Sequence, residues 1–388
     1  METITKRLVS WASLIDEKTV EQARTSSTMP FIYPHLALMP DAHLGLGATV
    51  GSVIPTLGAI IPAAVGVDIG CGMIAVKTQF AGSALPADRR AVREQIERAI
   101  PLSAGKVNRK IVATAEPRIA ELEELAEAKG FDPAAYAGNW REQLGSLGSG
   151  NHFIEVSVDE TDRVWLFLHS GSRGVGNKIA QHHIKVAQRF AKQWWIELPD
   201  PDLAYLVEGT PEFTRYIAEL RWAQHFALLN REEMMDRVIR QVSEWVGTAV
   251  EEQERINCHH NFTESEMHFG KRVWVSRKGA IQADAGRPGL IPGSMGTASY
   301  VVEGLGHPMS LNSSPHGAGR SFSRTKARQS FTHEQLREAM VGIEFRDTDA
   351  FIDEIPQAYK PIDRVMADAA SLVTVRHTLR QLVNVKGD

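Results

Sequence analysis

Residue types that bind metals and phosphates occur in this chain inside glycine-rich segments scattered from residue 41 to residue 386. Glycines on either side let the backbone turn tightly and let a ligand approach closely. The segments are separated by long stretches of helical pattern, so their side chains act together only if one fold gathers them. That requirement points to α+β architecture, a single mixed domain over residues 1–388 with central β-sheets flanked by helices.

The intervening pattern agrees. Residues 86–100, 113–129 and 177–197 carry apolar positions three or four apart with charges between them, which predicts helices. Thr210 and Pro211 form a helix start, and helical spacing continues from Phe213 through Trp245. One bent helix or two helices are expected to fill residues 211–255. Short strands are expected at Ile74–Thr78, Phe153–Val158, Val164–His169, Val273–Ser276 and Ala298–Val302.

Composition narrows the class. With 388 residues, 43% of them hydrophobic, the chain can bury a sizeable core. Two cysteines, Cys71 and Cys258, suit a reducing compartment, so a cytoplasmic location is expected. There is no apolar run of about 18 residues to span a membrane. The short stretch from Leu8 to Ile15 ends at Asp16 and Glu17 without the small-residue cleavage site of a secretory signal. The net charge of −4 argues mildly against a polyanionic partner. Charge is local, however. Arg320, Arg324, Lys326 and Arg328 lie in an acid-free run, and Lys271, Arg272, Arg277, Lys278 and Arg287 face only Asp284. Two such runs beside glycine-rich segments predict phosphate-binding surface.

The segments themselves supply chemistry. Asp68 and Cys71 stand three apart in GVDIGCGM, where a carboxylate and a thiolate can share a metal. Alone, that spacing describes a tight turn with a buried cysteine equally well. His152 in GSLGSGNHFIE and His169 in LHSGSRG each sit where a strand meets a glycine loop. His259, His260 and Asn261 follow Cys258. The turn around Ser294 in IPGSMGTAS offers hydroxyls and backbone N–H groups to an anion. In HGAGR, glycines leave room for a bulky ligand against His316, and Arg320 adds a fork of donors. The spacing from Gly171 to Lys178 lacks the adjacent Gly-Lys-Ser/Thr of a phosphate-binding loop. The K-x-D-G motif of lysine-nucleophile ligases is missing as well, so any nucleotidyl transfer needs another nucleophile.

In this order, PDAHLGLG, GVDIGCGM, GSLGSGNHFIE, LHSGSRG, CHHNF, RKGAI, IPGSMGTASY, HGAGR and the final VKG resemble the RtcB family of RNA ligases across residues 40–387. The resemblance implies a GTP-dependent enzyme that joins RNA 3′-phosphate or 2′,3′-cyclic phosphate ends to 5′-hydroxyl ends. GTP is then a cosubstrate and RNA the partner, with an archease-type activator as a further candidate partner. Two divalent ions, usually Mn²⁺, are implied at Asp68, Cys71, His152, His169 and His260, and the same donors suit Zn²⁺. His316 is the residue that the resemblance makes the guanylate carrier. Asn151, Glu155, Asn261, Ser294 and Ser299 are implied in the guanylate pocket. Gly317, Ala318, Gly319, Tyr359 and Lys386 complete it. Asp41 matches a family acid near the site. Pro315 and Phe322 depart from the family pattern, and residues 80–140 carry little of it.

Overall fold

A computed structural model describes all 388 residues. Two sheets dominate it. In the first, six strands run in the order Glu2–Thr5, Leu8–Ser10, Leu36–His43, Val50–Thr56, Lys271–Lys278 and Asn261–His268. In the second, seven strands run in the order Glu252–His259, Gly72–Ala81, Arg163–Ser170, Phe153–Val158, Val373–Lys386, Ser299–Gly304 and Pro288–Ile291. All pairs in the seven-stranded sheet are antiparallel.

Strand alternation explains how the layers stack, because successive side chains point to opposite faces. On the second sheet Met73, Ala75, Trp165 and Phe167 join one core with Ala37, Met39, Val53, Val273 and Val275 of the first sheet. Their neighbours Ile74, Val76, Leu166 and Leu168 point the other way. They pack against Val92 and Ile96 of the helix Arg89–Ala99 and against Met234, Met235, Val238 and Val242 of the long helix. Leu8, Leu36, Leu38 and Ile54 cover the outer face of the first sheet with Ala23 of the helix Glu17–Ser27. The result is helix, sheet, sheet, helix, with the largest apolar cluster between the sheets. No helix is long and apolar enough to cross a membrane.

The predicted helices appear as Arg89–Ala99, Glu116–Ala128 and Arg173–Gln193. The expectation for residues 211–255 needs correction. One 36-residue helix runs from Pro211 to Val246, and Glu252–His259 is a strand. Thr210 caps the helix start by accepting from the Phe213 N–H. Gly247, at φ +78°, ends it in the left-handed conformation that glycine adopts at least cost. The five predicted strands all occur, mostly longer than expected. The 14-residue strand Val373–Lys386 went unpredicted.

Candidate metal centre and nucleotide pocket

The functional side chains follow from the same alternation. His169 shares the face of Trp165 and Phe167, and Glu155 shares that of Phe153. Asn384 and Lys386 alternate with Val383 and Val385, which belong to the opposite core. Asp41 continues the series of Ala37 and Met39 on the facing sheet. Both sheets therefore send polar side chains into one end of the space between them.

At that end Cys71 Sγ lies 3.3 Å from His152 Nε2 and 3.2 Å from His169 Nε2. His152 Nε2 is 3.1 Å from Asp68 Oδ2, and His169 Nε2 is 2.8 Å from His260 Nε2. The backbone fixes two of the tautomers. His152 Nδ1 meets the Leu147 carbonyl at 2.9 Å, and His169 Nδ1 meets the Asn151 carbonyl at 3.0 Å. A carbonyl only accepts, so each Nδ1 carries the hydrogen and each Nε2 turns its lone pair toward the sulfur. His260 Nδ1 is buried with no partner.

Burial lowers the pKa of His169 and His260 well below the ordinary range, and it pushes the Cys71 thiol well up. Burial also works against the Asp68 charge, but the neighbouring His152 and the Arg173 guanidinium outweigh it and hold Asp68 at about 2. Converging lone pairs beside a carboxylate and a thiol repel one another unless a cation lies among them. The ligand atoms form two groups, Asp68–Cys71–His152 and Cys71–His169–His260, each within 4.8 Å and sharing the sulfur. This donor set could hold divalent metal and fits a transition-metal ion.

The surroundings keep the cluster in place. A Cβ on Gly171 would stand 2.2 Å from Asp68 Oδ1, so only glycine leaves room for that carboxylate. The fully buried Arg231 donates to the Gly70 carbonyl at 2.8 Å and the Ser170 carbonyl at 3.0 Å. It thereby ties the loop that carries Asp68 and Cys71 to the strand end that carries His169. Sequence reasoning missed Arg231, which lies in mid-helix among ordinary helical residues.

His316 stands opposite, its ring centroid 4.5 Å from that of His260. Asp41 Oδ2 accepts from His316 Nδ1 at 2.6 Å and from the His316 backbone N–H at 3.1 Å. Nδ1 therefore carries a hydrogen, and in the neutral ring the lone pair lies on Nε2. Three glycines make the approach possible. A Cβ on Gly319 would lie 2.3 Å from the Asp41 carbonyl oxygen, one on Gly51 2.7 Å from Ala42 Cα, and one on Gly279 2.9 Å from His316 Cε1. Lys360, also missed in sequence, donates to the carbonyls of Pro40 and Ala42 at 3.2 and 2.6 Å and clamps the Asp41 segment from both sides.

These groups surround a cavity of about 290 Å³. Its wall includes Asp68, Asn151, Glu155, His169, His260 and Asn261, together with Ser294, His316, Gly317, Ala318, Gly319, Tyr359 and Lys386. Cys71, His152 and Ser299 are buried but off the wall, and the Ser299 hydroxyl has no partner. Burial raises Glu155 to about 8, against the opposing charge of Lys386. Asn384 Nδ2 donates to Glu155 Oε1 at 3.3 Å.

Glu354, unforeseen in the sequence, organises the far side of the cavity. It accepts from Lys386 Nζ at 3.2 Å, from the Tyr359 hydroxyl at 2.6 Å and from Arg320 at 3.3 Å. Arg324 pairs with both Glu354 and Asp353, and Arg328 pairs with Asp353. The acid-free run around residue 320 is thus partly neutralised by Asp353 and Glu354, about thirty residues on, and Lys326 stays outside these pairs. The second basic run also departs from expectation. Arg277 is fully buried on Glu266, and Lys278 is buried on the cavity wall, where desolvation lowers its pKa to about 8.

The family model described as "tRNA-splicing ligase RtcB" matches residues 22–387. The chain is 47% identical to the RNA-splicing ligase RtcB of Escherichia coli K12, over 95% of this chain and 93% of that protein. It is 30% identical to the tRNA-splicing ligase RtcB of Pyrobaculum aerophilum, over 94% of this chain and 90% of the relative. A match of 30% to the E. coli protein RNA-splicing ligase RtcB2 covers 91% of the chain and 87% of that protein. The chain belongs to the RtcB family of RNA ligases.

Proposed function

We propose that the protein is a GTP- and Mn²⁺-dependent ligase that joins RNA 3′-phosphate ends to 5′-hydroxyl ends through a guanylate carried on His316. The observation that carries this reading is the Asp41–His316 pair, which leaves Nε2 of His316 as a free nucleophile at a glycine-lined cavity. Nε2 attacks the α-phosphorus of GTP, a P–N bond forms, and pyrophosphate leaves. Asp41 stabilises the positive charge that the ring acquires. An oxygen of the RNA 3′-phosphate then attacks the same phosphorus, and the P–N bond breaks to give an RNA 3′-guanylate. Attack by the 5′-hydroxyl of the second end forms the 3′,5′-phosphodiester, with loss of a proton, and GMP departs. A 2′,3′-cyclic phosphate is first opened by water to the 3′-phosphate.

Asp68, Cys71, His152, His169 and His260 would hold two divalent ions, with the Cys71 sulfur common to both sets. Bound there, the ions would neutralise phosphate charge and hold Cys71 as thiolate. The carboxyl of Glu155 and the amine of Lys386 line the cavity where the guanine ring is proposed to sit. Asn151, Asn261, Ser294, Ser299, Tyr359 and the Gly317–Gly319 backbone contribute the remaining contacts of the guanylate pocket. Site residues drawn from 41 to 386 support reading residues 1–388 as one catalytic domain. The physiological work is proposed to be tRNA splicing or RNA repair in the cytoplasm, with an archease-type activator as a candidate partner.

The test is His316→Ala. It should abolish guanylylation, seen by mass spectrometry as loss of the GMP adduct, and ligation of 3′-phosphate ends with GTP. It should keep metal binding and still seal RNA that already carries a 3′-guanylate. A mutant that remains guanylylated would overturn the mechanism.

A further inference from the structure

The helix Arg173–Gln193 begins at the metal centre and leads away from it. Gly171, two residues before its start, packs on Asp68, and Arg173 Nη1 lies 3.2 Å from His152 Nδ1. At 1.5 Å per residue, its 21 residues extend roughly 30 Å. Its buried side carries Val175, Ile179, Ala180, His183, Ala187 and Ala191. Its solvent side carries Lys178, Lys185, Arg189 and Lys192, all exposed. Steps of seven, four and three residues put these four within roughly 60° of one another around the axis at 3.6 residues per turn. None of the four forms an ion pair. Gln181 is the other exposed residue on the stripe, and the nearest exposed acid in sequence is Glu197, beyond the helix end.

The track ends in two exposed indoles. Trp194 is 63% exposed and Trp195 90%. Trp195 also holds a backbone conformation that bulky residues rarely adopt, at φ +49°. The Ile196 N–H donates to the Ala191 carbonyl at 2.9 Å and the Trp195 N–H to the Lys192 carbonyl at 3.3 Å. That is the helix-ending turn in which glycine normally occupies the left-handed position. Here a tryptophan stands there, turned into water. Free positive charges in line, followed by exposed aromatic faces, are what a flexible polyanion with exposed bases requires.

We propose that this face is a docking track for single-stranded RNA, running from the reacting end at the metal centre to a base-stacking platform at Trp194 and Trp195. The proposal rests on the reading of the protein as an RNA ligase and adds where the body of the substrate lies. Lys185, Arg189 and Lys192 meet phosphates, and the two indoles stack on bases farther from the break.

The test measures binding of the full-length protein to fluorescent single-stranded RNA with a 3′-phosphate, across a series of salt concentrations. Two probes of about 25 and about 2 nucleotides are compared, the shorter spanning less than the roughly 18 Å of helix from Arg173 to Lys185. One variant combines Lys185→Gln, Arg189→Gln and Lys192→Gln, and a second combines Trp194→Ala and Trp195→Ala. For the long probe, the charge variant should lose about tenfold or more in affinity, and its salt slope should fall by about 2, at about 0.7 per lost contact. The tryptophan variant should lose about tenfold without a change in slope, since stacking releases no counterions. Quenching of tryptophan fluorescence by the long probe should disappear in that variant. Wild-type affinity and slope in the charge variant would overturn the track, as would equal weakening of both probes. Wild-type protein that binds the long probe but never ligates would instead overturn the ligase reading and leave the track standing.

Discussion

The cluster of Asp68, Cys71, His152, His169 and His260 and the wall that carries Arg320, Arg324, Glu354, Tyr359 and Lys386 meet at one cavity, yet they treat charge oppositely. In the first, donors and lone pairs crowd together, and no side-chain cation lies among the converging sulfur and Nε2 atoms, since Arg173 reaches only the far nitrogen of His152. On the second, every charge has a protein partner within hydrogen-bond reach. An uncompensated cluster is unfavourable in itself and persists because a ligand completes it, whereas a compensated one is scaffold. The contrast separates residues whose loss should stop chemistry from residues whose loss should loosen the fold.

The largest effect is expected from Cys71→Ala. Ligation should fall below detection and metal stoichiometry should drop, while the metal-free protein stays folded because no ion pair is broken. Calorimetric metal titration beside a ligation assay checks this. Asp41→Asn comes next. It keeps the shape but offers His316 the wrong hydrogen-bonding group, so guanylylation should slow by roughly 10²–10⁴, as for other histidines deprived of an orienting carboxylate. Metal binding should not change, and single-turnover kinetics with labelled GTP reads the difference.

Glu354→Ala tests the compensated wall. It strips Lys386, Arg320 and the Tyr359 hydroxyl of their shared acceptor, and breaking such a buried pair costs about 3–5 kcal/mol. Denaturant unfolding should show that loss even without nucleotide. Glu155→Gln should alter pH dependence. The folded protein holds the Glu155 proton to about pH 8, whereas the unfolded chain releases it near 4.5. Stability therefore falls as pH rises through that window, by about 1.4 kcal/mol per unit from this group alone. The variant should flatten the decline, as read from melting temperatures between pH 5 and 8. The smallest effect belongs to Arg328→Ala. Its half-exposed pair with Asp353 should contribute about 0.2–1 kcal/mol, and the salt dependence of RNA binding should be unaffected.

Much of this site was legible because its parts are local in sequence. Asp68–Cys71, Asn151–Glu155, His260–Asn261 and His316–Gly319 each present several functional groups within a few residues, and the glycines beside them mark where a bulkier chain would clash. What escaped reading was set by distant partners. Arg320, Arg324 and Arg328 are partly compensated by Asp353 and Glu354, and no spacing rule joins residues some thirty positions apart across irregular chain. Arg277 likewise looks solvated until Glu266 is seen beneath it. The strand Val373–Lys386 was missed because the polar run Arg376–Thr378 breaks the alternation of its mostly exposed first half, while its second half is buried almost throughout. The long helix stopped early at Gly247, and the charged residues from 251 to 255 pair across to Gly72–Ala81 instead of extending it.

The strand Val373–Lys386 follows all the other strands of its sheet in sequence but lies in the interior, hydrogen-bonded to Phe153–Val158 on one side and Ser299–Gly304 on the other. A nascent chain that has folded as far as residue 372 would therefore carry two open edges where this strand belongs, each a template for wrong pairing. The missing piece also brings Lys386, so the cavity gains its final side chain in the event that closes the sheet. Closure of the sheet and completion of this cavity wall are thus one step, and a chain halted short of that strand exposes its open edges to quality control before the cavity is complete.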